Sequence, residues 1–105
     1  MRTRFVIEAL GYGDLIRDVE LGFRPVKGEM IFTECGEAHV TESVYVMAFD
    51  MVRVELDELV EGDGDNCAEH LLACGWRVAE NSNSMEDPWQ PAAKKPAPDS
   101  PSAPR

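Results

Sequence analysis

Six of the seven prolines in this 105-residue chain lie beyond position 80, while its excess negative charge lies before that point. Residues 1–80 carry 17 Asp and Glu against 7 Lys and Arg, a net of −10, whereas residues 81–105 hold three of each and are neutral. Proline fixes φ and removes a backbone donor, so a polar stretch rich in Pro, Ala and Ser supplies neither a hydrogen-bonded ladder nor a core. The split predicts one small acidic domain over 1–80 and a disordered Pro-rich tail over 81–105. Within the tail, Pro88-Trp89-Gln90-Pro91 and the run 98–104 repeat proline every third residue, the period of a polyproline II helix. Residues 101–105 have the form of a Pro-x-x-Pro ligand with a terminal base. Trp89 is the one large aromatic there; if it folds back, the domain edge moves to about residue 92.

Inside the first 80 residues the dominant period is two. Val52, Val54 and Leu56 alternate with Arg53, Glu55 and Asp57, the pattern of a strand with one face buried and one wet. Residues 4–10 and 18–23 read as strands on the same grounds, separated by a loop at Gly11-Tyr12-Gly13-Asp14, with Val19, Leu21 and Phe23 on one face of the second. Pro25 to Gly28 reads as a turn, Met30 to Thr33 as extended, and Cys35-Gly36-Glu37 as a further tight turn. The run from His39 to Phe49 has apolar residues on both faces, which suits a central or curved strand, and Asp50-Met51 forms its connection to the next.

One helix follows. Asn66 as N-cap with Glu69 three residues later makes a capping box, and Gly75 supplies the left-handed stop, so the helix covers Cys67 to Cys74. Trp76 to Ala79 reads as a short last strand. The fold class expected is α+β: a small antiparallel β-meander of four to five strands, curled toward a barrel, with one short helix near the C-terminal end of the domain.

Charge and composition exclude several functions. A body of net charge −10 lacks the cations that bind nucleic-acid phosphate or an anionic bilayer, so no direct nucleic-acid or membrane binding is expected. No apolar run has the length of a signal peptide or a span, which makes a reducing cytoplasm and free thiols the expectation for Cys35, Cys67 and Cys74.

The sharpest chemical constellation is Cys67-x-x-His70-x-x-x-Cys74, with Cys35 and His39 elsewhere. Cys67 and Cys74 share a helical face, but seven residues at ~1.5 Å rise hold them about 10 Å apart, too far for one ion or one disulfide. The workable metal set is His70 and Cys74 with Cys35 or His39, and zinc is the ion those donors suit. The competing reading packs Cys67, Leu71 and Cys74 as the apolar stripe of the helix, with no cofactor. A thiol enzyme would pair Cys35 with His39, yet Glu34 and Glu37 would oppose a thiolate there.

Two loops look like ligand motifs and fail. Asp63 and Asp65 suggest a calcium loop, but Cys67 and Cys74 occupy positions that need oxygen ligands. Gly11-Tyr12-Gly13 lacks the lysine of a phosphate loop, and Asp14 would repel the phosphate. What remains is the acidic run Glu55, Asp57, Glu58, Glu61, Asp63 and Asp65. Part of it complements the positive end of the helix. The rest makes a non-catalytic module that binds a basic protein partner the leading functional expectation, with mimicry of nucleic-acid phosphate as its most specific form.

Overall fold

The computed structural model describes residues 1–57 and 67–91. Its elements are β1 (Arg2–Ala9), β2 (Gly13–Glu20), β3 (Met30–Thr33), β4 (Gly36–Val46), β5 (Met51–Leu56), α1 (Cys67–Ala73) and β6 (Arg77–Val78). Single 3-10 turns occupy Met47–Phe49 and Ser84–Glu86. The six strands form one sheet in the order β3-β4-β5-β1-β2-β6.

This mostly-β domain with one short helix differs from a simple antiparallel meander. β1 and β5 run parallel, pairing Thr3 with Val52 and Phe5 with Val54, while the other four strand pairs are antiparallel. The hairpin β1–β2 and the meander β3–β4–β5 are each antiparallel; the parallel seam joins them edge to edge. β1 and β5 therefore lie in the interior of the sheet, which is why both faces of β1 are buried at Val6 and Ile7. The sheet is open, with β3 and β6 at its edges, and does not close into the expected barrel-like form. Glu34, just past β3, bonds Arg17 of β2 at 2.7 Å and accepts from the Trp76 indole at 3.0 Å.

The second strand begins at Gly13 and ends at Glu20, earlier than its residue types suggest. Gly11 and Gly13 both adopt positive φ, so the chain reverses within three residues and delivers Leu15 and Ile16 straight into the sheet. Phe23, expected on a strand face, lies exposed in the connection that follows. At the other hairpin β4 ends at Val46, not Phe49, and the connection is the 3-10 turn Met47–Phe49 closed by Asp50 rather than Asp50-Met51; Asp50 takes the left-handed conformation, φ 53°, which aspartate tolerates. The Tyr45 hydroxyl donates to its carboxylate at 2.7 Å.

The inner face holds the core: Ile7, Leu15, Val40, Val52, Val54 and Leu56, covered by Leu71 of α1 and by Trp76. The helix ends as its sequence predicts. Gly75 has φ 115°, its N–H meets Leu72 O at 3.3 Å, and Trp76 N–H meets Leu71 O at 3.1 Å. Those two bonds make a Schellman motif, and both Leu71 and Trp76 enter the core as that motif requires. The buried stripe of α1 is Ala68 and Leu71; Cys67 and Cys74 lie to its sides, half-buried, and do not form the stripe expected of them. Asn66, the expected N-cap, lies outside the described residues.

The outer face is organised by a buried ion pair. Arg4 on β1 and Asp18 on β2 face each other across the hairpin, both with fully buried side chains. Arg4 Nε and Nη2 donate to the two carboxylate oxygens at 2.6 and 2.8 Å. Its Nη1 donates to the carbonyls of Ser84 (2.5 Å) and Asp87 (3.0 Å), and its Nη2 to that of Pro88 (3.1 Å). All five guanidinium donors are thereby satisfied. Asp18 further accepts from Arg77 at 3.2 Å and from the Gln90 N–H at 2.9 Å.

Residues 81–91, tail by composition, are thus drawn onto the sheet. Met85 is buried, Pro91 bridges Asp18, and the Arg2 guanidinium lies 5.1 Å from the Trp89 ring centroid. Asp87 ties the segment's start by accepting from the Glu80 N–H (2.9 Å) and the Asn81 N–H (3.1 Å). Residues 92–105 lie outside the described residues.

Burial alone would raise the Asp18 carboxyl; its bonds from Arg4 and Gln90, with the charges of Arg4 and Arg77, outweigh that and hold it below its ordinary value. A lowered folded-state value means the group stabilises fully above the ordinary aspartate pKa, near 4, and loses that contribution as pH falls through the folded value. Asp18→Asn, which strands the buried Arg4 cation, is expected to cost about 3–5 kcal/mol at pH 7. Urea unfolding over a pH series should show that difference shrinking below about pH 4; a pH-independent difference would contradict the assignment.

Candidate functional site

The hairpin register that opposes Arg4 to Asp18 also opposes Glu8 to Asp14 at the other end of the same face. On the far side of β1, Glu55 pairs with Val6, and across β5 Glu42 of β4 pairs with Glu55. Four carboxylates, Glu8, Asp14, Glu42 and Glu55, thus belong to one sheet face. A small polar recess of about 100 Å³ lies among Val6, Glu8, Asp14, Glu55 and Leu56. Arg53 answers part of this charge, reaching Glu55 at 2.6 Å. Arg4 and Arg77 are committed to Asp18, and Arg17 to Glu34.

Two residues of the acidic run are described. Glu55 sits on the outer face as above, and Asp57, just past β5, accepts from the His39 N–H at 2.9 Å and lies 3.4 Å from His39 Nδ1. Glu58, Glu61, Asp63 and Asp65 lie outside the described residues. Sequence reasoning missed Glu8, Asp14 and Glu42. A tight hairpin centred on Gly11 would have revealed the first pair, because it sets positions equidistant from that glycine opposite one another.

The four metal candidates do not converge. Cys35 occupies the β3–β4 turn, and its thiol donates to the Cys67 carbonyl at 3.3 Å. His39 turns instead to Asp57. His70 Nε2 and Cys74 Sγ are neighbours at 3.8 Å, one helical turn apart. Among the described residues no group of three or more His, Cys, Asp or Glu has the geometry to hold a metal ion. With Cys35 turned to Cys67 and His39 to Asp57, the pair that a thiol enzyme would need does not form. Burial, then the neighbouring Cys67 and Cys74 side chains and the Glu34 carboxylate, push the Cys35 thiol up to about 12.

A second concavity, about 190 Å³, opens on the inner side between β2 and β3, with Phe5, Val19, Ile31, Phe32 and Trp76 in its walls and the Arg17–Glu34 pair beside it. Phe32 is 72% exposed at its mouth. No helix among the described residues is long and apolar enough to cross a membrane.

No family model matches the chain, and no curated protein or solved structure shows significant similarity to it. The chemistry of the site must therefore be read from its own geometry.

A thiol held protonated reacts slowly with alkylating agents, since the thiolate is the nucleophile. Timed iodoacetamide labelling at pH 7, followed by peptide mass mapping, should find Cys35 modified more slowly than a free cysteine. Labelling at or above the free-cysteine rate would show that its surroundings activate it.

Proposed function

We propose that this domain is a non-catalytic interaction module that docks a basic segment of a partner protein on the acidic end of its outer sheet face. The observation that supports this reading is the pairing of like charges. Glu8 stands opposite Asp14 and Glu42 opposite Glu55 on neighbouring strands. Like charges directly opposite in a ladder destabilise it. Neutral or alternating charges would serve the fold better, so these carboxylates have a use that the fold itself does not supply. A cationic segment laid across them would relieve the repulsion and gain attraction at once. Asp57, at the end of β5, adds a further carboxylate, and the sequence continues with Glu58, Glu61, Asp63 and Asp65.

The reading predicts opposite effects on stability and binding. In Glu8→Gln/Asp14→Asn/Glu42→Gln the melting temperature should hold or rise, because repulsion is removed. Calorimetric binding of an arginine-rich octapeptide should weaken about tenfold, with a shallower loss of affinity between about 0.05 and about 0.3 M salt. A control triple, Glu37→Gln/Glu80→Gln/Glu86→Gln, makes the same change in net charge at exposed positions that belong to neither like-charge pair. Equal weakening by both triples would mean that bulk charge alone attracts the peptide, and the proposed face would be wrong.

A further inference from the structure

Cys35 and Cys67 stand 32 positions apart in sequence, one in the β3–β4 turn and the other opening α1, yet the fold brings them into contact. The Cys35 thiol donates to the Cys67 carbonyl at 3.3 Å. The Cys67 side chain is also among the neighbours that hold the Cys35 proton in place. Both residues are half-buried, open enough for a small oxidant and shielded enough to disfavour a second protein molecule. Cys74, the third cysteine, is turned toward His70 on the next turn of the helix.

We propose that Cys35 and Cys67 are a modification site: a dithiol that closes to an intramolecular disulfide when the protein meets a hydroperoxide, and reopens with a thiol reductant. Cys67, at the opening of α1, is the sulfur oxidised first in this scheme. Its sulfur attacks one peroxide oxygen, the O–O bond breaks, and the departing hydroxide leaves as water with the thiol proton, giving a sulfenic acid. The Cys35 sulfur then attacks the sulfenic sulfur, the S–O bond breaks, and the hydroxide leaves with the Cys35 proton as a second water. Two thiols and one peroxide thereby give one disulfide and two waters. The bond staples the start of α1 to the β3–β4 turn. Closing that loop removes entropy from the unfolded chain, so the oxidised form should be the more stable one.

The experiment treats the full chain with equimolar hydrogen peroxide, then combines non-reducing peptide mapping with thermal unfolding. The expected result is a monomer lighter by two hydrogens, with one cross-linked peptide joining Cys35 to Cys67. Its melting temperature should rise by about 5 °C or more and return to the starting value in dithiothreitol. Cys67→Ser should lose both the cross-link and the shift, whereas Cys74→Ser should keep them. The reduced melting temperature of each variant reports that it folds. A bridge to Cys74, a disulfide-linked dimer, a sulfinic acid without a bridge, or no reaction each overturns the proposal.

Discussion

The Arg4–Asp18 pair is the interaction on which the outer half of the molecule depends. A buried ion pair is a weak source of stability by itself, because desolvating both charges offsets most of their attraction. Here the guanidinium spends its spare donors on three carbonyls from 84–88, and the carboxylate takes a fourth bond from the Gln90 N–H. The pair converts a segment with little hydrophobic content into an ordered cover for the sheet, through polar bonds that are worth more where water is excluded. Removing either charge would leave the other buried without a partner, along with several orphaned backbone groups.

The same hairpin register has two consequences of opposite sign. At one end of the β1–β2 ladder it places an opposite-charge pair, buried and fully bonded; at the other it places Glu8 against Asp14 at the surface. The first contact holds the domain together and the second strains it. Arg4, Arg77 and Arg17 are each held by a carboxylate inside the fold, so the outer carboxylates are left with little compensation beyond Arg53. This partition of charge, rather than the total of −10, gives the surface its character.

Much of the inner half was legible in the sequence. The alternation of Val52, Val54 and Leu56 marks β5, and Gly75 before Trp76 marks the helix stop, because each of those signals is local. The parallel β1–β5 seam was not legible, since alternation states which face is buried and says nothing of which strand lies alongside. The role of 81–91 escaped for a different reason. Arg4 reads as the wet side of an alternating strand, and only the hairpin register shows that it faces Asp18 and needs acceptors from elsewhere. For the candidate site, Glu55 and Asp57 were found from their local density, whereas Glu8, Asp14 and Glu42 are brought to that face by pairing between strands. The Cys35–His39 pair that a thiol enzyme would need does not form, because the β3–β4 turn directs Cys35 toward α1 and leaves His39 beside Asp57.

Native-state hydrogen exchange on the full chain tests the anchoring most directly. If Arg4 and Asp18 hold the segment as part of one cooperative unit, the amides of Gln90, Glu86 and Glu80 should exchange only by the global opening that releases the β1–β2 ladder. Their opening free energies should then match those of Val6 and Ile16. Exchange of the Gln90, Glu86 and Glu80 amides at free-peptide rates, while the ladder stays protected, would contradict the account.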